Sequence, residues 1–357
     1  MRRQFLAPAG AAAGDVRVGD VTAREVVRRL AGVQAQVASS AELAVAVRLR
    51  RPDPGVAHAL WEERSLVKTW AMRGTLHLLP ADEAPAYLAL CATIRNWEKG
   101  SWQKNFGATP ADLEAIAEAA TTALAGGAEL TRKELSAAIV AETGSAHLAE
   151  LLGSGWGVLL KPLAWWGVLC HGPSQGSRVT FAAPEHRFPG WTGPPPVEDA
   201  ARTVVRAFLG AHGPATPDMF DNWLMRKGSR KKDVKSWFAG AADDLATVDV
   251  EGVQMHLLSG HLHELLSTEP TGSVRLLGAF DQYVLGAGTS ETHLIPAEHR
   301  GEVSRKAGWI SPVLLHEGRV AGVWEPKDGD VVVTTFEDVP AAPLAAEIAR
   351  LRPLLPS

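Results

Sequence analysis

The sequence predicts an α+β fold of three tandem winged-helix motifs followed by a β-rich C-terminal region. Three observations support this prediction: helices that begin on the same threonine signal, strand-like segments after each helical cluster, and strand-like sequence from about residue 250 onward. With 357 residues, 46% of them hydrophobic and 21% charged, the chain has the composition of a globular protein with two or three cores.

Four predicted helices begin on a threonine: Thr22, Thr109, Thr131 and Thr216. Thr22 is followed three residues later by Glu25, and Thr131 by Glu134, which are capping-box patterns. The other two threonines precede a proline, a residue favoured in the first helical turn. Apolar residues at helical spacing follow, so these segments are predicted to be short amphipathic helices.

Each helical cluster is followed by strand-like sequence. The helical region in "LVKTWAMRGTLHLLP" ends in "GTLHLL", Val179–Phe181 have strand chemistry, and Val248 and Val250 before Gly252 suggest a hairpin. Helices followed by a small β wing are typical of winged helices. We predict winged helix 1 in 1–107, winged helix 2 in 108–190, winged helix 3 in 191–262 and the β-rich region in 263–357.

The C-terminal region is predicted to contain paired strands. Its segments around Glu317-Gly318 and around Asp328-Gly329-Asp330 resemble hairpin turns. A final helix is predicted in "PLAAEIARLRPLL".

Composition excludes several classes of protein. No apolar run approaches the roughly 18 residues of a membrane span, so we expect a cytoplasmic protein. Cys91 and Cys170 lie in apolar segments and cannot form a disulfide framework, which predicts buried thiols. The histidines His256, His261, His263 and His293 match no standard metal-ligand spacing. No metal and no other cofactor is expected.

Positive charge is concentrated in one run, although the formal net charge is −4. The run "MRKGSRKKDVKSW" holds one anion, Asp233, and six cations: Arg226, Lys227, Arg230, Lys231, Lys232 and Lys235. Such a block is either a solvated face or a patch that contacts phosphates. Composition alone leaves both interpretations open.

The stretch "LAGVQAQVASS" places two uncharged amides, Gln34 and Gln36, one residue apart after a helical run. In a continuing helix the two side chains would point to different sides. If the chain becomes extended between Gly32 and Gln36, alternation places both amides on one face.

Several motifs together resemble a known family. They are "QAQ", "TWAMRGTLHLLP", "KPLAWWGVLCHGP", "LLGAFDQYVLG" and "GWISPVLLHEGRVAGVWE". The combination extends over nearly the whole chain and resembles the winged-helix DNA-binding family of bacterial DNA glycosylases that includes AlkZ and YcaQ. The resemblance implies tandem winged helices and a β-rich region around a basic DNA channel. It also implies excision of N7-alkylated purines, including bulky adducts and some interstrand crosslinks.

The resemblance assigns catalysis to Gln34 and Gln36, the AlkZ-like form of a motif that ends in aspartate in the YcaQ branch. After "YVLG" the family often has an aromatic residue and an Asp-Arg pair, whereas this chain has "AGTSETHL". Beside a winged-helix assignment, the basic run becomes a predicted source of phosphate contacts. The predicted DNA-binding residues are Arg73, Lys227, Arg230, Lys231, Lys232 and Lys235.

Two amides suit a substrate that is already cationic. Glutamine does not titrate, so neither residue can be a general acid or base. An N7-alkylguanine leaves without protonation, and the amide oxygens can hold the attacking water beside a cationic sugar. The alternative is that Gln34 and Gln36 satisfy helix-end carbonyls or lie in solvent.

Other candidates each have a structural alternative. Arg73, Thr75 and His77 alternate in a predicted strand, so they form either a face toward DNA or a polar row in the core. Asp281 is either a catalytic carboxylate or a buried group that holds a loop. Four tryptophans at helical positions are predicted mainly as core: Trp165, Trp166, Trp223 and Trp237.

These observations predict a monomeric, monofunctional DNA glycosylase that acts in repair or self-resistance on double-stranded DNA containing alkylated purines. Water attacks and an abasic site remains, with a bulky lesion left largely in the duplex. The alternatives are a dimeric winged-helix transcription regulator with a defined operator and a non-catalytic protein that shields damaged sites. Turnover separates the enzyme from both alternatives.

Overall fold

Helix, strand, two helices and an antiparallel hairpin follow one another in the first part of the chain, which is the element order of a winged helix. The computed structural model describes residues 1–6, 21–49, 55–153 and 157–355. The first elements are α1 (Ala23–Arg29), β1 (Val33–Gln34), α2 (Ala38–Ala46), α3 (Gly55–Trp61), β2 (Leu66–Trp70) and β3 (Leu76–Pro80). β2 pairs with β3, although "LVKTW" was predicted within a helical region. Two helices follow: α4 (Ala84–Ala92) and α5 (Gly100–Phe106).

The same order recurs with one additional helix. The elements are α6 (Pro110–Leu124), β4 (Leu130–Thr131), α7 (Arg132–Thr143), α8 (Ala146–Gly153), α9 (Leu160–Trp165), β5 (Cys170–Gln175), β6 (Arg178–Ala182) and α10 (Pro184–Arg187). The three strands form a sheet of order β4-β6-β5, so the predicted strand Val179–Phe181 is confirmed as part of β6.

A third cluster follows the proline-rich segment. It consists of α11 (Val197–His212), α12 (Pro217–Met225), α13 (Lys231–Gly240), β7 (Leu245–Val250), β8 (Val253–Leu258) and α14 (Leu262–Leu266). Ala215 exchanges two backbone hydrogen bonds of 2.9 Å with His256 of β8, and so occupies the position of a first strand. The third cluster thus has the same element order as the first. A mixed α/β fold with small sheets is confirmed, and the assignment of three winged-helix motifs stays a prediction.

The C-terminal region is β-rich, as predicted. Its elements are β9 (Val274–Leu277), α15 (Gln282–Ala287), α16 (Arg300–Val303), β10 (Val313–His316), β11 (Arg319–Lys327), β12 (Asp330–Thr335) and α17 (Ala341–Leu351). The antiparallel sheet has the order β12-β11-β10-β9. Its buried face packs into a core with Val303 of α16 and Leu351 of α17.

The threonine caps are confirmed. The Glu25 amide donates to Thr22 Oγ1 at 3.3 Å, and the Thr22 amide donates to Glu25 Oε2 at 2.8 Å. Thr131 forms the same box with Glu134. Thr109 forms one as well, with an aspartate that was not predicted as its partner. Satisfying these amides explains where each helix begins.

The predicted hairpins close with two-residue loops whose residues both have positive φ. The loops are Glu251-Gly252, Glu317-Gly318 and Asp328-Gly329, with φ between 50° and 87°. This conformation matches the right-handed twist of paired strands, and a glycine in the second position adopts it without strain.

The chain divides into two compact units. Unit one comprises Met1–Val56, Val205–Trp223 and Ala241–Ser357. Unit two comprises Ala57–Val204 and Leu224–Gly240. The four-segment division from the sequence remains a prediction. None of the described helices is long and apolar enough to cross a membrane.

Candidate functional site

The segment before the Gln34–Gln36 motif leaves the helix through a Schellman turn. The Gly32 amide donates to the Val27 carbonyl at 3.0 Å, and the Ala31 amide donates to Arg28 at 3.1 Å. Ala31 and Gly32 have φ of 54° and 95°, the left-handed conformation that ends helices. The chain therefore turns out of α1 and becomes extended at Val33.

Gln34 and Gln36 differ in environment. Gln34 lies on β1 with 9% of its surface exposed, next to Ala35 at 2%. Gln36 is exposed and lies in a bend just before α2. Of the two conformations that the sequence left open, Gln34 adopts the extended one, and the continuing helix is excluded. Because the regular strand ends at Gln34, strand alternation does not set the direction of Gln36.

A buried ion pair anchors α2, the helix that follows the motif. Arg48 donates to both carboxylate oxygens of Asp281, at 2.7 and 2.8 Å, and both side chains are fully buried. Asp281 also accepts from the Tyr283 amide at 2.8 Å and so caps α15. This geometry agrees with the loop-holding interpretation of Asp281, because both of its oxygens are engaged. Sequence reasoning had not identified Arg48.

The backbone at Gly278 also packs closely against α2. A Cβ at Gly278 would lie 2.9 Å from Leu43 Cδ2 of α2, so a larger residue there would displace the helix. The segment from Gly278 to Asp281 is thus fixed against α2, which begins two residues after Gln36. These contacts all lie within unit one.

The predicted strand row of Arg73, Thr75 and His77 does not form. Arg73 lies in the turn between β2 and β3 with a φ of 57°, and β3 begins only at Leu76. His77 is fully buried and donates from Nδ1 to the Thr75 carbonyl at 3.0 Å. Burial, with a smaller effect from Arg73, lowers the pKa of His77 to about 3. His77 therefore belongs to the core. Of these three positions, only Arg73 is predicted to bind DNA.

In unit two, the charge of Arg226 acts on two other cations, Arg73 and Lys161. Burial and the nearby Arg226 guanidinium lower the pKa of Arg73 to about 10, and the same two causes lower the pKa of Lys161. The Lys161 ammonium lies 3.7 Å from the position that a Cβ of Gly74 would occupy. Positive charges that lower one another's pKa favour the binding of an anion in their neighbourhood. Lys161 was missed in the sequence, where its signal is one lysine inside the apolar run "VLLKPLAWW".

The basic run forms the exposed surface of α13 and the turn before it. Five predicted DNA-binding residues are exposed: Lys227, Arg230, Lys231, Lys232 and Lys235. The opposite face of α13 is buried through Val234, Trp237 and Phe238. Arg230 pairs with Asp233 at 2.7 Å, which offsets part of the positive charge.

The remaining candidates lie mostly in the core. Trp165, Trp223 and Trp237 are buried and Trp166 is partly exposed. Cys91 and Cys170 are buried free thiols, as predicted. Within the described ranges no group of three or more His, Cys, Asp or Glu side chains is arranged to hold a metal ion.

Comparisons with known proteins agree with this architecture. The family described as "DNA glycosylase AlkZ-like" matches residues 27–352. An interstrand DNA cross-link repair glycosylase from Streptomyces sahachiroi is 46% identical over 347 residues, covering 97% of this chain and 91% of that protein. The solved structure of Streptomyces sahachiroi DNA glycosylase AlkZ has a TM-score of 0.93 at 46% identity, covering 99% of this chain and 94% of that one.

Proposed function

This chain belongs to the AlkZ-like DNA glycosylase family, and from that premise we propose that it hydrolyses the N-glycosidic bond of cationic N7-alkylated purines in double-stranded DNA. Gln34 and Gln36 hold the attacking water in this proposal. The relative that repairs interstrand crosslinks supports bulky adducts and crosslinks as substrates. We propose that the enzyme acts as a monomer.

The proposed reaction needs no titrating side chain. The C1′–N9 bond breaks and its electron pair neutralises the alkylated purine, while the oxygen of water bonds to C1′ and the released proton passes to solvent. Amide oxygens accept hydrogen bonds from the water and direct their negative dipole ends toward the cationic sugar. A neutral purine is a poor leaving group and is left intact.

The observation that carries the proposal is the local geometry of the motif. A buried amide on β1 is followed by an exposed amide in the next bend, and the buried Arg48–Asp281 pair fixes the helix behind them. An amide dipole in a buried setting acts more strongly than one in water, because the local dielectric is low. A fixed orientation adds to this effect.

DNA affinity is proposed to come mainly from unit two. Arg73, Lys161 and Arg226 would bind the phosphates of the DNA backbone, since the charge of Arg226 acts on both other cations. Lys227, Arg230, Lys231, Lys232 and Lys235 would contact further phosphates from the surface of α13. Such contacts carry no sequence information, which suits an enzyme that searches for damage.

The test is base release from a duplex carrying one N7-methylguanine, read as abasic sites by alkaline strand cleavage. Gln34→Ala and Gln36→Ala should each lower the single-turnover rate by about 100-fold or more, because a positioned polar contact at the transition state is worth about 3 kcal/mol. DNA binding should be unchanged. Gln103→Ala, a glutamine that donates to the Trp97 and Glu98 carbonyls in unit two, is the matched control.

A binding protein without catalysis gives a different result. The proposal is contradicted if the wild-type protein binds the duplex but releases neither N7-methylguanine nor a bulky N7 adduct. Sequence-specific footprinting would then separate a transcription regulator from a protein that shields lesions.

A further inference from the structure

Trp309 is the most exposed of the tryptophans that the structure describes, with 43% of its surface accessible. Most large aromatic side chains stabilise a fold by burial, so a solvent-facing tryptophan forgoes much of that gain. The ring lies in unit one, in the loop between α16 and β10. Its exposure makes the ring accessible to a binding partner.

The loop that presents Trp309 is closed by backbone hydrogen bonds. Ser304 and Ile310 form an antiparallel bridge, and the Arg305 amide donates to the Trp309 carbonyl at 2.9 Å. Ala307 and Gly308 turn the chain with φ of 59° and 77°. Trp309 therefore extends from a defined hairpin-like loop anchored by a buried isoleucine at position 310.

A second aromatic ring, that of Phe280, packs against Trp309. Phe280 meets it edge-to-face, with ring centroids 5.0 Å apart and planes at 81°. Phe280 directly precedes Asp281, the partner of Arg48, and follows the glycine at 278 that packs on α2. A continuous set of contacts thus connects Trp309 to the helix that begins just after Gln36.

Two cations on the loop of Trp309 complement the negative charge of a nucleic acid. Arg305 and Lys306 are exposed on the same loop. The Arg305 Nε donates to the Glu302 carbonyl at 3.3 Å, while the Glu302 carboxylate lies 3.4 Å from His299. An exposed aromatic ring and two cations on one loop form a combination by which proteins hold a base and its neighbouring phosphates.

We propose that Trp309 stacks on a nucleobase of the bound DNA while Arg305 and Lys306 contact the adjoining phosphates. The stacked base fixes the strand relative to Gln34 and Gln36, so Trp309 is a positioning residue rather than a catalytic one. This inference rests on the proposed function, because it assumes that DNA is the substrate held by the motif.

The experiment uses the N7-methylguanine duplex with 2-aminopurine placed beside the lesion. Trp309→Leu should weaken binding or slow release by about 5- to 150-fold, the equivalent of about 1–3 kcal/mol per stacked base. It should also abolish the quenching of 2-aminopurine by the protein. Trp309→Phe should restore most of both. Leu266→Ala, which alters another highly exposed apolar side chain of unit one, should change neither.

A second measurement is independent of the mutants' activity. Iodide should quench Trp309 in the free protein, seen as the difference between wild type and Trp309→Phe, and DNA should protect it. Continued iodide access in the complex would overturn the proposal. So would a wild-type dimer that Trp309→Leu dissociates, because a second copy would then cover the ring. Trp309-dependent stacking without base release would leave the inference standing and contradict the proposed function instead.

Discussion

The motif region of unit one and the basic region of unit two use charge in opposite ways. In unit one the charges of Arg48 and Asp281 are buried and neutralise each other, and the motif residues Gln34 and Gln36 are uncharged. In unit two like charges gather, since Arg226 lowers the pKa of both Arg73 and Lys161. The proposed chemistry therefore needs uncharged amide dipoles in fixed orientations. Affinity for DNA instead needs positive charges, whose mutual repulsion is offset when the phosphates bind.

The largest expected effect breaks the buried pair of unit one. Arg48→Met should lower the free energy of unfolding by about 3–5 kcal/mol, because it leaves the Asp281 carboxylate buried without its partner. Urea unfolding measures this loss. Arg230→Met is the control: its ion pair with Asp233 is exposed, so its loss should cost about 1 kcal/mol or less. Equal losses would contradict the contrast between buried and exposed charge.

The next effect tests the positive charge of unit two. Lys161→Gln and Arg226→Gln should each weaken DNA binding alike on every sequence and make the slope of log K against log salt shallower by about 0.9 per lost phosphate contact. Titrations at several salt concentrations measure the slope. Lys133→Gln, which removes an exposed lysine on α7, should leave it unchanged. An unchanged slope in all three variants would place the phosphates elsewhere.

The smallest effect at neutral pH concerns the buried histidines of unit two. Burial lowers the pKa of His77 and of His171 to about 3, so the unfolded chain binds more protons than the folded one between about pH 6.5 and 3. Stability contributed by the neutral rings is present above pH 6.5 and is lost progressively as the pH falls through that window. The urea midpoint should therefore fall on acidification.

His77→Leu should reduce this acid sensitivity, whereas His293→Leu should not, because His293 is 61% exposed. The urea midpoints of wild type, His77→Leu and His293→Leu at pH 7 and pH 4 measure this acid sensitivity. If the two variants lose stability equally on acidification, burial of His77 is not the cause.

Local signals in the sequence predicted much of the fold. Thr22 with Glu25 marks a helix start because the two side chains satisfy free backbone amides of the first turn. Asp328-Gly329 marks a tight turn because both residues can adopt the positive φ that reverses the chain. The sequence left open whether the helix before Gln34 continues, and the Schellman turn at Ala31 and Gly32 decides it. Such features depend little on the rest of the chain.

Features that join distant residues were not predictable in this way. Arg48 and Asp281 are 233 positions apart, and only folding shows that they form one buried pair. Arg73 was assigned to a strand because alternation does not reveal a turn with positive φ. Lys161 and Trp309 likewise could be recognised as candidate binding residues only from the residues that lie near them in the folded structure.

The most direct test of the central claim is the pH dependence of single-turnover base release from the N7-methylguanine duplex. Because neither Gln34 nor Gln36 titrates and the leaving base is already cationic, the rate should stay level from about pH 6 to 9, where the folded protein binds DNA. A bell-shaped profile, or a tenfold change per pH unit, would show that a titrating acid or base carries the reaction and would contradict the account.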